Sequence, residues 1–286
     1  MAVSERPLGL ARVDLRLADV PAGLALSSAA GWNQTAEDWA LFIERGRAIG
    51  LRSTSGQVVA SAAALPYGGR LGWISMVLVA EGYRHRGLAS RLMDDCVRFL
   101  QQRGSTPVLD ATPAGAEVYH RLGFVPGFSL ERWEGMSDPG EVRAMYADLR
   151  VAGAQDLDAL AALDAAVNRV DRRVLLESFL RRDASRAWMA RDASGFAIAR
   201  RGRRATQLGP LVAADIDAAQ RLLEVALAAE SCPVFLDVPT RWSGIATWLE
   251  QRGFTRQRGF VRMALGAAEV PACSERSFVL AGPEFG

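Results

Sequence analysis

The sequence has 286 residues, of which 50% are hydrophobic and 23% are charged, and its formal net charge is only +2. This composition suits one large domain or two ordinary ones, gives no case for disorder, and offers no general reason to expect nucleic acid as a partner. All 34 basic residues are arginines, which excludes mechanisms that need a lysine, such as P-loop phosphate binding or Schiff-base chemistry.

Histidines and cysteines are too few for common metal or triad motifs. The chain has two histidines, His85 and His120, and three widely separated cysteines without a C-x-x-C pair. We therefore expect no metal site and no histidine-based triad. The sparse, odd cysteine count indicates a reducing compartment. Because no apolar run has the length of a signal or membrane-spanning segment, we expect a cytoplasmic protein without a membrane partner.

The first elements alternate between strand and helix. "VDLRLA" (13–18) predicts a strand, and "TAEDWALFIERG" predicts a helix that Thr35 caps. "GQVVASAAALPYGG" (56–69) and "GWISMVLVA" (72–80) predict two strands joined by a turn. The second of these is almost wholly apolar, which is typical of a central strand covered on both faces.

A long amphipathic helix follows the central strand. Leu88, Leu92, Cys96 and Leu100 recur every four residues, and Gly104 predicts the stop. "PVLDA" then predicts a strand. "TPAGAEVYHRLGF" predicts a helix with a threonine cap and a proline at its first position, and "FVPGFSLERW" predicts a return to extended structure.

The pattern then repeats after a polar stretch at 135–143. "GF" at Gly123 returns at Gly253, an offset of 130 that "RLM" and "RLL" and two further dipeptides share. "VLVA" (77–80) returns as "PLVA" (210–213). These echoes predict a duplicated domain. We expect a first domain over 1–134, a linker over 135–143, and a degenerate, non-catalytic second domain over 144–286 that includes a C-terminal tail.

The turn in "VAEGYRHRGLASRLM" joins the central strand directly to the long helix. Such a turn exposes unpaired N–H groups and the positive end of the helix dipole, and Gly87 and Ala89 let an anion approach between Arg84 and Arg86. A phosphate or pyrophosphate fits this description; the plain alternative is a helix cap with solvated arginines. The second copy has two aspartates and no glycine here, which would repel an anion. A G-x-G-x-x-G dinucleotide motif is absent from the turn.

Two motifs together resemble the GNAT superfamily of N-acyltransferases. The R-x-x-G-x-A pattern is matched by Arg84, Gly87 and Ala89, and the later Y-x-x-x-G-F element by Tyr119 and the residues up to Phe124. The resemblance covers about residues 10–134, and the second half resembles a degenerate copy. It implies an α/β fold with a mixed sheet and two GNAT-like acyl-CoA N-acyltransferase domains in tandem.

The resemblance also implies acetyl-CoA as co-substrate. The pantetheine arm would pair with the backbone of the strand that ends at Val79, as an added strand. The pyrophosphate would bind the N–H groups of the turn. The implied cofactor-binding residues are Val77, Leu78, Val79, Arg84, His85, Arg86, Gly87, Leu88, Ala89 and Ser90. Many relatives have an asparagine where this chain has Thr112, which is better explained as a helix cap and is not assigned to the site.

Acyl transfer from a thioester to an amine needs a base, donors for the oxyanion, and a proton for the thiolate. The resemblance places Tyr119 near the thioester sulfur as the general acid; the alternative is a tyrosine packed on a helix with its hydroxyl in solvent. The second copy has Leu249 at this position. No base is assigned. The carboxylate candidates are Glu37, Asp38, Glu44 and Asp110, and a solvated or capping carboxylate is the favoured alternative for each.

The region around "AAGWNQTAEDW" walls the acceptor cleft in GNAT folds, so Trp32 and Asn33 are candidates for substrate binding. Tryptophans that fill the core are the equal alternative. "RRGRR" (200–204) predicts a turn with solvated arginines between two strands, in preference to a nucleic-acid patch.

The leading hypothesis is an acetyl-CoA-dependent N-acetyltransferase that acts on a small-molecule or exposed protein amine. The alternative is a catalytically silent acyl-CoA-binding regulatory or sensor protein with the same fold. The sequence decides neither the acceptor nor the oligomeric state, so a homodimer stays open.

Overall fold

The computed structural model describes residues 9–68, 70–137, 146–266 and 273–286. Eight helices lie in these ranges: α1 Val20–Ala29, α2 Ala36–Arg45, α3 Leu88–Gln101, α4 Pro113–Arg121, α5 Leu157–Asn168, α6 Arg173–Leu180, α7 Ile216–Ala228 and α8 Ser243–Glu250. The strands in the same ranges are β1 Ala11–Asp14, β2 Arg47–Arg52, β3 Val58–Tyr67, β4 Leu71–Val79, β5 Thr106–Ala111, β6 Phe124–Met136, β7 Leu149–Ala152, β8 Arg186–Ala190, β9 Phe196–Arg201, β10 Thr206–Val212, β11 Pro233–Pro239, β12 Thr255–Leu265 and β13 Ser277–Val279.

The chain divides into two compact units, Met1–Pro107 and Val108–Gly286. In the first unit, β1 to β4 form an antiparallel meander in chain order. In the second unit the strand order is β5-β12-β6-β11-β10-β9-β8-β7, and β13 pairs with β10. The pair β10–β11 is parallel, whereas the other strand pairs named here are antiparallel, so the sheet is mixed and the fold is the α/β fold that the resemblance implied.

The element order of the first half returns in the second. A strand, two helices, three strands, a helix, a strand, a helix and a long strand follow one another in β1 to β6 and again in β7 to β12. Within the described ranges the two series differ in two places: only the first has a 3-10 turn before its third helix, and only the second is followed by a further strand, β13.

Local sequence signals, such as helix caps, predicted most of the helices and strands. Thr35 and Asp38 form a reciprocal capping box on α2, and the Thr112 hydroxyl accepts a hydrogen bond from Gly115 N at 3.2 Å to cap α4. The first strand is Ala11–Asp14, shorter and earlier than the predicted 13–18. The buried strand β2 was missed, because Arg47 and Arg52 at its two ends obscure its short apolar centre.

The closing strands of the two copies are exchanged. β6, which ends the first series, pairs with β11 of the second, and β12, which ends the second series, pairs with β5 of the first. β6 and β12 also pair with each other. The sequence did not predict this exchange, because either pairing would satisfy the same strand pattern.

Two equivalent buried ion pairs join the exchanged strands. Arg132 on β6 donates to both carboxylate oxygens of Asp237 on β11, at 2.9 and 2.7 Å. Arg262 on β12 donates in the same bidentate way to Asp110 on β5, at 2.9 Å twice. Arg132 and Arg262 stand at the repeat offset of 130, so each copy places its arginine on the aspartate of the other.

The predicted linker falls largely outside the described residues. Gly135 and Met136 belong to the end of β6, and residues 138–145 are not described. The division into copies at 1–134 and 144–286 therefore stays a prediction. Among the described residues, no helix has both the length and the apolar character needed to cross a membrane.

Candidate functional site

The central strand β4 contains a bulge just before the residues predicted to pair with a cofactor. Met76 has φ 53°, although it is a large buried residue, and the pairing with β3 shifts register between Ala63↔Ser75 and Ser61↔Leu78. The Ser61 hydroxyl donates to Met76 O at 2.8 Å and holds this conformation. A bulge turns the following backbone away from the regular ladder, and that backbone is Val77–Val79.

The turn after β4 has an unusual backbone. A 3-10 turn at Glu81–Tyr83 is followed by His85 at φ 60° and Gly87 at φ 70°. Helix α3 then starts at Leu88 with Gly87 as N-cap and without a side-chain cap. A Cβ added at Gly87 would meet no atom within 4 Å, so the space beside this residue is open.

The backbone N–H groups of this turn have no partner in the part of the chain that the structure describes. Within the described ranges, no group accepts a hydrogen bond from the backbone N–H of any residue from His85 to Ser90, and the first bond of the helix is from Arg91 N to Gly87 O. Left-handed residues between extended or helical ones aim successive N–H groups into one concavity, which is the geometry of an anion-binding nest. The helix dipole adds positive potential at the same place.

Two exposed arginines flank the turn. Arg84 Nε donates to Val79 O at 3.1 Å, and Arg86 Nη2 donates to Gly82 O at 3.2 Å while its guanidinium lies 5.9 Å from the centre of the Tyr83 ring. These contacts fix the side chains beside the turn while the residues stay exposed. The concavity of N–H groups is therefore bordered by two positive charges.

In the second copy, the N-terminus of the corresponding helix, α7, is capped by a carboxylate of the chain itself. Asp215 caps α7, and its Oδ1 accepts a hydrogen bond from Ala218 N at 2.8 Å. A negative charge thus stands where the first copy presents open N–H groups, and an anion would be repelled.

Tyr119 lies on α4 in the second compact unit. Its ring packs near Phe124, with centroids 6.0 Å apart, and its Cε2 would lie 3.3 Å from a Cβ added at Gly115. Among the described residues no group hydrogen-bonds its hydroxyl. Burial raises the pKa of Tyr119 above its ordinary value, so the phenol keeps its proton at neutral pH. Its counterpart Leu249 is fully buried core.

Family models match both halves of the chain. One described as "Acetyltransferase (GNAT) family" matches residues 24–124, and one described as "Acetyltransferase (GNAT) domain" matches residues 160–279. The chain belongs to the GNAT superfamily, with two copies in tandem. The resemblance to this superfamily is thereby confirmed.

Individual relatives agree with this assignment. An uncharacterized N-acetyltransferase, YitH, of Bacillus subtilis (strain 168) is 27% identical over 237 residues, which is 81% of this chain and 83% of that protein. A putative acetyltransferase from Pyrococcus horikoshii has a TM-score of 0.84 at 18% identity and covers 100% of this chain and 99% of its own. A tandem GNAT protein from the clavulanic acid biosynthesis pathway has a TM-score of 0.64 at 17% identity over 91% and 100%. The two solved structures share the fold.

The predicted acceptor wall of this tandem GNAT protein contains buried polar groups. Asn33 is buried and Trp32 is half-buried between α1 and α2. The neighbouring Gln34 is 5% exposed, and its Oε1 has no hydrogen-bond partner in the described structure. The sequence interpretation did not include Gln34 among the candidates for substrate binding. Trp39 is core: it is fully buried and donates from Nε1 to Ser27 Oγ at 3.2 Å.

Two of the four carboxylates considered as bases are engaged elsewhere. Asp38 accepts from Thr35 N at 2.8 Å in the capping box, and Asp110 is held by Arg262. Glu37 and Glu44 are exposed on α2. In the part of the chain that the structure describes, no group of three or more His, Cys, Asp or Glu side chains could hold a metal ion.

One expectation about "RRGRR" is wrong. The turn lies between β9 and β10 as predicted, but Arg200 is 2% exposed rather than solvated. Its guanidinium bonds Glu284 Oε1 at 2.9 Å and lies 4.4 Å from the centre of the Phe179 ring. Glu284 is 84 residues away from Arg200 along the chain, so no local sequence pattern indicated that Arg200 is buried.

Proposed function

We propose that the protein is an N-acetyltransferase that transfers an acetyl group from acetyl-CoA to a primary amine of a small molecule or an exposed protein segment. The first copy binds the carrier through the backbone of Val77–Val79 and the turn of Arg84–Ser90. The observation that carries this proposal is the run of six N–H groups, from His85 to Ser90, that have no hydrogen-bond acceptor among the described residues. The family match and the name of the Bacillus relative support the reaction class.

The turn suits a pyrophosphate on electrostatic grounds. Unpaired N–H groups at a helix mouth donate to phosphate oxygens, and Arg84 and Arg86 add long-range attraction. The bulge at Met76 diverts the backbone beyond it, so that Val77 and Val79 are offered to the pantetheine amides as a strand edge. Each contact uses backbone groups, which explains why small residues are needed at Gly87 and Ala89.

The reaction proceeds by direct attack. The amine nitrogen bonds to the thioester carbonyl carbon and loses a proton to water or to an unassigned base; the tetrahedral intermediate then expels the CoA thiolate. We assign Tyr119 as the acid that protonates this thiolate. A thiol has an ordinary pKa of about 8.5, so a phenol held in its neutral form can stabilise the departing sulfur at neutral pH. Trp32 and Asn33 would wall the amine site.

Introducing a negative charge at the turn tests whether the carrier binds there. Gly87→Asp places a carboxylate beside the pyrophosphate, and Gly87→Asn is its uncharged isostere that tolerates the same left-handed backbone. At separations of about 6 Å in a partly solvated site, repulsion should weaken acetyl-CoA binding about 10- to 100-fold more for aspartate than for asparagine. Calorimetric titration measures both. Equal affinities for the two variants would refute the assigned site.

A measurement of turnover distinguishes the enzyme from the alternative, a catalytically silent protein that only binds acyl-CoA. Thiol release is measured across a broad panel of amines for the wild type and for Tyr119→Phe. The acid role predicts a kcat lower by about 100-fold or more with carrier affinity unchanged. Equal carrier binding by both proteins, with no acetyl transfer by either, would favour a sensor over an enzyme.

A further inference from the structure

A short segment of the chain fills a cleft in the second copy. β10 and β11 pair in parallel at Thr206↔Val234 to Leu208↔Leu236 and then diverge. In the gap, β13 pairs with β10 through Leu211↔Val279, and Leu280 N donates to Asp237 O on β11 at 2.9 Å. Residues 277–280 at the start of the segment 277–286 thus bond both diverging strands.

The paired backbone positions are the counterparts of the proposed carrier site. The echo "VLVA"/"PLVA" aligns Leu211 and Val212 with Leu78 and Val79. It also aligns Pro210, which has no N–H to donate, with Val77. In the second copy, therefore, protein backbone is bonded where the first copy is proposed to bond pantetheine.

Buried charges and rings hold the segment in place. Glu284 is paired with Arg200, and both side chains are less than 10% exposed. The Phe285 ring packs edge-on against Phe179 with centroids 5.4 Å apart, and Arg172 donates to Gly286 O. Every residue from 277 to 286 except one is buried, so the segment is enclosed along almost its whole length.

The backbone of β10 allows the segment to approach closely at Gly209. A Cβ added at Gly209 would lie 2.0 Å from Leu280 O, and the backbone there has φ 140°. Only glycine admits this approach. At the other end of the segment, Trp242 stacks on Phe278 with centroids 4.2 Å apart and donates from Nε1 to Ser277 O at 2.7 Å.

We propose that residues 277–286 are the permanent peptide occupant of this second cleft and close it to the thioester carrier. The second copy then serves as a receptor for an extended strand of its own chain, and the protein binds one carrier per chain. The carrier count rests on the proposed function of the first copy; the occupancy of the second cleft does not.

Locking the segment in place tests the closure. A disulfide between Leu211→Cys and Val279→Cys, which are cross-strand partners, would prevent the segment from leaving. The locked chain should bind one acetyl-CoA with the affinity of the same variant after reduction. If the lock lowers carrier affinity tenfold or more, or if the reduced chain binds two carriers, the segment leaves for the carrier and the proposal is overturned.

Hydrogen exchange measured by mass spectrometry on the full chain tests the occupancy separately. In the wild type, the amides of 277–286 should exchange slowly and stay equally slow in saturating acetyl-CoA. Gly209→Ala should speed their exchange by about tenfold or more, whereas Gly253→Ala should not, because Gly253 also has a positive φ (79°) but open space around it. Rapid exchange in the wild type would refute the occupancy.

A milder pair of variants covers the case in which Gly209→Ala does not fold. Glu284→Gln removes a buried charge from the segment, and Glu275→Gln removes an exposed one just before it. Only the first should speed exchange of 277–286; equal effects would count against the proposal. A wild type that binds no carrier but protects the segment would refute the proposed function and leave the occupancy standing.

Discussion

Replacing Arg132 with leucine would leave Asp237 as a buried charge without its bidentate partner inside the second unit. The two side chains are 2% and 0% exposed, and within the described structure the side-chain hydrogen bond left to the carboxylate would be the one from Gln207 Nε2 at 2.9 Å. Although burial by itself lowers the pKa of Arg132, Asp237 raises it above the usual value, so the guanidinium is charged at any pH of interest. Removing one partner of such a pair costs about 3–5 kcal/mol. With Gln207 still bonded, we expect about 3 kcal/mol.

The loss is measured by urea denaturation followed through tryptophan fluorescence. For a chain of this size it should also lower Tm by about 6–12 °C. Arg98→Leu is the control, since Arg98 pairs with Asp95 but its side chain is 66% exposed, and it should cost less than about 1 kcal/mol. The double variant Arg132→Leu/Asp237→Leu should recover at least half of the loss.

Two results would refute this reasoning about the exchanged strands. One is a loss for Arg132→Leu no larger than that for Arg98→Leu. The other is a double variant as unstable as the sum of its single variants, since that outcome would mean that Arg132 and Asp237 stabilise the fold independently.

Three further predictions concern the first unit. Burial raises the pKa of Cys96 to about 12, so iodoacetamide at pH 8 should label this thiol only after unfolding; labelling of the native chain would contradict its burial. Burial alone would raise the pKa of Asp95, but hydrogen bonds from Arg12 and a second arginine lower it below 3.8. Its contribution to stability is present above pH ~4 and is lost as the pH falls through the lowered value, so Arg12→Gln should flatten the acid limb of a stability–pH curve. Gly23→Ala would place a Cβ 2.7 Å from the Trp39 ring and should cost about 1–3 kcal/mol in thermal unfolding, where an unchanged midpoint would show that the helix shifts freely.

The sequence by itself determined the elements whose causes are local. The four-residue spacing from Leu88 to Leu100 predicted α3, and the Thr112 cap and the proline that follows it predicted α4. The turn at Gly87 and the helix start after it could be predicted for the same reason. A short loop between a strand and a helix fixes where its own N–H groups point, so few conformations were open to it.

Only the tertiary structure decided which strands meet. The exchange of β6 and β12, the pairing of Arg132 with Asp237, and the burial of Arg200 against Glu284 each join residues far apart in the chain. A strand's pattern fixes which face it buries but not which neighbour it pairs with, and two similar copies offer the same edges to either closing strand. The position of residues 277–286 could not be predicted for the same reason, because the sequence of a short apolar segment does not indicate which strands it pairs with.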